Sequence, residues 1–190
     1  MSNIHTIYRG PYPFLGLHMG EIKRALSVKL IAGIIFKDDS VFKTARSILG
    51  RHFGKIDLES QTLPFELTDY YEREFGPGLK KVFLSFRDLI LAQDLYKIKI
   101  LTNKIENKLS LKGSRLANID PGYIDAAKLV LASTKDYKHR IYLNKGIYAE
   151  ITLSYRGRSF EPLECTYNDY KTGQYIEIFN RIRQLYLDQT

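Results

Sequence analysis

The stretch from Asn118 to Glu150 sets Asp120, Lys135, Asp136, His139, Arg140 and Glu150 among apolar, strand-like runs. Charge at strand ends and tight turns is where binding sites are commonly built. Asp120-Pro121-Gly122-Tyr123 reads as a tight turn at a strand end, because Pro presets φ and Gly admits positive φ. Asp120 there can coordinate Mg²⁺, accept from a ribose hydroxyl or act as a base; the plainer role is to cap the turn. Asn118, two residues back, shares its face on a regular strand.

The run Ser133 to Arg140 suits an anion. Lys135 offers a point charge, Arg140 a planar fork and His139 a donor or proton carrier, beside the hydroxyls of Ser133 and Thr134. The alternative is a solvated basic hairpin, with His139 on a strand that faces the core together with Ile141 and Leu143. Glu150 stands in a strand pattern, with Ile147, Ala149, Ile151 and Leu153 on one face and Tyr148, Glu150 and Thr152 on the other. Pairing across Asn144-Lys145-Gly146 sets Arg140 or Tyr142 near Tyr148 or Glu150. Glu150 is then either a salt-bridge partner of Arg140 or Lys135, or a carboxylate for metal or acid–base work.

Two patches mix acids with aromatics: Thr68 to Gly76, which holds Asp69, and Tyr167-Asn168-Asp169-Tyr170. Their rings can stack on a base and their carboxylates can read an amine or a cation, or the tyrosines can simply cover a core edge. Asp169 can also be the cap of the last helix. The candidate catalytic residues are therefore Asp120, His139 and Glu150, and the candidate ligand-binding residues are Asn118, Lys135, Arg140 and Asp69.

The elements that must position them follow from periodicity. Val28 to Phe36 is a near-continuous β-rich run, as expected of a strand covered on both faces. Asp38, Asp39 or Ser40 caps a helix over 38–53 that Gly54 ends. Residues 56–66 are extended, with Pro64 at an edge or bulge, and Val82 to Phe86 is a short strand. The stripe Leu91, Leu95, Ile98, Leu101, Ile105 and Leu109 predicts a helix over 89–110, followed by an extended segment over 114–119. That order, β-α-β-β-α-β, is the ferredoxin-like pattern. Short strands at 129–132, 139–143, 147–154 and 160–163, joined by turn signals, predict an antiparallel meander. A helix over 171–188 closes an α+β fold. Residues 1–27 read as an irregular arm before one globular domain at 28–188.

Composition bounds the partners. Lys and Arg number 29 against 21 Asp and Glu, and the net charge of +8 favours anionic partners, although the cations are spread along the chain as solubility charge would be. The one cysteine excludes an internal disulfide and a Cys-rich zinc site, which points to a reducing cytoplasm, and Cys165 reads as a small packing residue. The first 20 residues lack a signal-peptide pattern, and the longest apolar run, Leu30 to Phe36, is too short to span a membrane.

Several segments together resemble a known family: Val28-Lys29-Leu30-Ile31, Thr68-Asp69-Tyr70-Tyr71, Thr102 to Glu106, Asn118 to Tyr123, Ser133 to Asp136, His139-Arg140-Ile141, Gly146 to Glu150 and Tyr167 to Tyr170. The resemblance, over about residues 28–188, is to uncharacterised bacterial and archaeal proteins known as a domain of unknown function. Some relatives carry an automatic GTP-binding label. The chain lacks the Gly-x-x-x-x-Gly-Lys-Ser/Thr loop that label would need, because Lys37-Asp38-Asp39-Ser40 follows the first strand, and it lacks Gly-x-Gly-x-x-Gly.

Two classes of function remain. One is a small-molecule protein, a binder or an enzyme, for a nucleotide or phosphorylated ligand. The other is an RNA-binding or protein-assembly module without catalysis. A convergent pocket holding these charges favours the first; an open basic sheet with exposed aromatics favours the second.

Overall fold

The computed structural model describes residues 25–65, 76–111 and 113–190. Asp69 and its neighbours in the Thr68 patch lie outside the described residues, as does most of the arm at 1–27.

The first strand, β1 (Ser27–Phe36), is buried almost throughout, as its apolar run requires. Asp38 caps α1 (Asp39–Phe53) by accepting from the Ser40 N–H at 2.7 Å, and the helix ends at Gly54. Two short strands, β2 (Ile56–Glu59) and β3 (Leu63–Pro64), both pair with β4 (Lys80–Leu91). The strand expected over 82–86 is thus longer, and the helix expected from 89 starts later. Leu89, Ile90 and Leu91 pair with Lys29, Val28 and Ser27 of β1, and cross-strand pairing outweighs their helical spacing. A single 3₁₀ turn then leads into α2 (Leu95–Lys108).

The remaining strands are β5 (Ala117–Ile124), β6 (Lys128–Ser133), β7 (Ile141–Asn144), β8 (Ile147–Arg156) and β9 (Ser159–Pro162), and the chain closes with α3 (Gly173–Leu187). The sheet order is β2-β4-β1-β5-β6-β8-β7, with β3 on β4 and β9 on β8. Every described pair is antiparallel. The β2-β4-β1-β5 half with α1 and α2 is ferredoxin-like, and β6 to β9 form the meander. The β7–β8 hairpin turns at Lys145 and Gly146, both at positive φ, which explains a glycine there.

The sheet has a core on each face. On one, Leu30, Ile34, Val82, Leu84 and Ile119 meet Ala45 and Leu49 of α1 and Ile98 and Ile105 of α2. On the other, Ile31, Phe83, Ile124, Leu129, Leu153 and Phe160 meet Tyr175, Ile178, Phe179 and Ile182 of α3. Each of the Val, Leu, Ile and Phe side chains among them, when fully buried, contributes about 1.5–3 kcal/mol. No described helix is long and apolar enough to cross a membrane.

Four local expectations are corrected. Asp120-Pro121-Gly122-Tyr123 is not a turn. It lies inside β5, where Asp120, Pro121 and Gly122 face Gly33, Ala32 and Ile31 of β1. The turn falls later, where Asp125 Oδ1 accepts from the Ala127 and Lys128 N–H groups at 2.8 Å. His139 is in the turn before β7, not on a core-facing strand, and Ile141 is 72% exposed. The alternation along β8 slips, because the register with β6 jumps from Leu153 to Ile151 and leaves Thr152 as an extra residue. Ile147 and Ala149 therefore face α2, Leu153 faces α3, and Ile151 is exposed. Cys165 is exposed, not packed.

Candidate functional site

The sheet divides between β5 and β6. These strands pair only over Gly122–Ile124 and Leu129–Leu131, and pairing stops beside Pro121, which has no N–H to donate. Gly122 is needed at the junction: a Cβ there would lie 2.4 Å from the Val130 carbonyl oxygen. Beyond it the strands separate. The Ile119 N–H and C=O then have no strand partner on that side, and α2 supplies one for each. Glu106 Oε1 accepts from the N–H at 2.9 Å, and Lys99 Nζ donates to the carbonyl at 3.0 Å. Left unsatisfied, each group would cost about 1–3 kcal/mol.

The gap opens into a cleft of about 740 Å³. Asn118 and Asp120 of β5, with Lys81 of β4, form one wall; Ser133, Lys135, Tyr137, Arg140 and Glu150 form the other. Lys99, Asn103, Glu106 and Asn107 enter from α2, and Tyr167 to Tyr170 complete the rim.

Charges on the β5 wall form a closed network. Asp120 accepts from Lys99 at 3.2 Å and from the Asn118 amide at 2.7 Å. Arg115 donates to Asn118 Oδ1 at 3.1 Å and to Glu106 Oε2 at 2.7 Å. Burial opposes the Asp120 carboxylate, but the ammonium groups of Lys99 and Lys81 outweigh it and hold the pKa below its ordinary value. Glu106 goes the other way: burial pushes its carboxyl up despite Lys99 and Arg115.

On the opposite wall, Glu150 Oε2 meets His139 Nε2 at 2.8 Å and accepts from Arg140 Nε at 2.7 Å. The same guanidinium donates to Ser133 Oγ at 2.7 Å, the Lys135 carbonyl at 2.9 Å and the Tyr167 hydroxyl at 2.7 Å, and lies 4.8 Å from the Tyr137 ring centroid. Arg140 and Glu150 are 2% and 6% exposed at their side chains, so this is a buried pair. Asn118, Asp120, Lys135, Arg140 and Glu150 thus line one cleft, while His139 touches it through Glu150.

The sequence pattern does not single out Lys81, Lys99, Glu106 or Arg115, and it leaves Asp169 either as a carboxylate for an amine or cation or as the cap of the last helix. Thr172 is the cap of α3, and Asp169 instead pairs with Lys81. A signal for Lys99 and Glu106 does exist: both fall on the buried stripe of α2 with Leu95, Ile98, Thr102 and Ile105, where a charge requires a partner. Among the described residues no three His, Cys, Asp or Glu side chains gather as a metal site, so a cation at Asp120 would complete its shell with ligand oxygens and water.

A family model described as a domain of unknown function, DUF4416, matches residues 26–186. The chain belongs to this family. The match runs from β1 into α3 and contains every residue of the cleft. No curated protein and no solved structure matches the chain. A P-loop joins a strand to a helix of a parallel sheet. Here β1 passes to α1 through Lys37 and Asp38, and every described strand pair is antiparallel.

Proposed function

We propose that the protein binds or acts on a nucleotide or another phosphorylated small molecule in the cleft between β5 and β6, in the cytoplasm. The observation that carries this reading is the convergence on one cleft of charged groups that start far apart in the chain. Lys81, Lys99, Arg115, Lys135 and Arg140 meet Glu106, Asp120, Glu150 and Asp169 there. The volume suits a small ligand, and the charged and polar side chains that line it can fix its orientation. Ser133, Thr134 and Lys135 take the phosphate end. Arg140, spent on its own chain, shapes that end. Asp120, held ionised, accepts a hydrogen bond from a ligand hydroxyl, with Asn118 fixing its orientation.

A second reading, an RNA-binding or assembly module, draws on the exposed rings of Tyr137, Tyr142 and Tyr167. A thermal-shift series with AMP, GTP, ribose 5-phosphate, inorganic phosphate and a short RNA separates the two. A ligand at about 100 times its Kd stabilises by about 2.7 kcal/mol. The proposal expects a rise with a phosphorylated small molecule that Asp120→Asn weakens. A rise with RNA alone would replace it with the second reading.

A further inference from the structure

Strand β4 carries a lysine where a central strand calls for an apolar residue. Lys81 is 1% exposed, and its Nζ donates to Asp169 Oδ2 at 2.7 Å. The rings of Phe65, Phe83, Tyr170 and Tyr175 surround it, with centroids 5.1, 5.2, 4.3 and 5.2 Å away. Aromatic faces are electronegative, so this cage favours the charged ammonium.

Tying β4 to the Asn168–Lys171 turn does not by itself account for the pair. A buried ion pair returns little more than its desolvation costs, and apolar side chains of like volume would hold the two elements at least as well. Other cations of the cleft are spent on the chain: Arg140 on four acceptors, Lys99 on Ile119 and Asp120. Lys81 has three N–H groups and, among the described residues, one hydrogen bond. It lines the cleft. An anion is the wrong partner for the remaining N–H groups. Asp169 is in contact, and Asp120 is near enough that Lys81 helps keep it ionised. A phosphate there would be repelled by both carboxylates, whereas an uncharged oxygen would not be.

We propose that Lys81 is a ligand-binding residue, its ammonium donating to a hydroxyl or carbonyl oxygen of the phosphorylated molecule assigned above to the cleft. This depends on that assignment and narrows it. The ligand is a phosphate ester rich in hydroxyl or carbonyl oxygens, such as a sugar phosphate or a nucleotide read at its ribose, and not a bare phosphate. Phosphate and oxygen-rich end lie at opposite walls, the first at Ser133 to Lys135 and the second at Lys81.

The test follows the lysine ammonium signals and backbone amides of the labelled protein by NMR, with ribose 5-phosphate, AMP and inorganic phosphate as probes. The Lys81 signal is the one absent from the Lys81→Met/Asp169→Leu double variant, which removes both charges so that neither is left buried alone. The two organic phosphates should shift the Ser133–Lys135 amides and the Lys81 ammonium; inorganic phosphate should shift the amides only. The double variant should keep its melting temperature within a few degrees and lose about tenfold or more in affinity for the organic phosphate, with inorganic phosphate unaffected. Amide shifts with a stationary Lys81 signal, or undiminished affinity in the double variant, would overturn the role of Lys81 and leave the proposed function standing. No shift with any probe would remove the proposed function, and this assignment with it.

Discussion

Glu150 shows how burial changes the meaning of a charge. Its Oε2 meets both His139 and Arg140, and Arg140 reaches Ser133, Lys135 and Tyr167 as well. Removing one partner of a buried pair leaves the other uncompensated, at about 3–5 kcal/mol. Arg140→Ala should therefore lower ligand-free stability by about 3 kcal/mol, read by denaturant unfolding. Arg140→Lys should recover only part, since one ammonium cannot reproduce the planar fork. Unchanged stability with lost ligand affinity would instead make Arg140 a ligand arm. Asp120 carries a pH signature. Its folded pKa lies below the unfolded value, so its contribution is present above the ordinary value of 3.8 and is lost as pH falls through the folded one. Asp120→Asn should flatten the acid limb of stability below about pH 4, measured by thermal melts across pH.

At the scale of elements, the decisive feature is a strand pair that stops halfway. Gly122 permits close approach of β5 and β6, and Lys99 and Glu106 cap the Ile119 edge where the strands part. Gly122→Ala would press a Cβ onto the Val130 carbonyl and the Leu131 side chain, against backbone that cannot swing aside. A loss of about 3 kcal/mol in unfolding free energy is expected. Lys99→Met should also destabilise, by about 1–3 kcal/mol, because the Ile119 carbonyl and Asp120 each lose a donor. A wild-type melting temperature in Gly122→Ala would mean that the close approach is not needed. The sequence carries part of this. Proline and glycine at 121 and 122 do mark a break in regular structure, but the break is in strand pairing and not in chain direction.

At the scale of the whole fold, the described residues form a sheet between two helical layers, with the cleft where the sheet's halves part. A far contact also ties the ends of the fold. Buried Lys29 of β1 meets Asp57 of β2 and, at 2.6 Å, Gln189 beyond α3. The net charge of +8 acts at this scale and separates the two functional readings. A small phosphorylated ligand touches few cations and should keep most of its affinity between roughly 50 and 200 mM salt, whereas nucleic acid held through six or more phosphates loses on the order of a thousandfold. Isothermal titration at both salt concentrations measures this. A steep loss with the small ligand would mean that long-range charge, and not the cleft, holds it.

Local pattern determined the element order, the hairpin at Lys145 and Gly146, the α1 cap and the likeness of the first half to a ferredoxin-like sheet, because periodicity and turn chemistry act between near neighbours in sequence. It also pointed to Asn118, Asp120, Lys135, Arg140 and Glu150, since polar and charged side chains on strands and in turns are where binding sites are commonly built. The place of Asp120 within β5, the slip in β8 that exposes Ile151, and the entry of Lys81, Lys99, Glu106 and Asp169 into the cleft were decided only by tertiary structure. Each depends on which strands pair and where pairing ends, a balance of contacts between distant segments, from the 13 residues between Glu106 and Ile119 to the 88 between Lys81 and Asp169. No local spacing encodes such a contact.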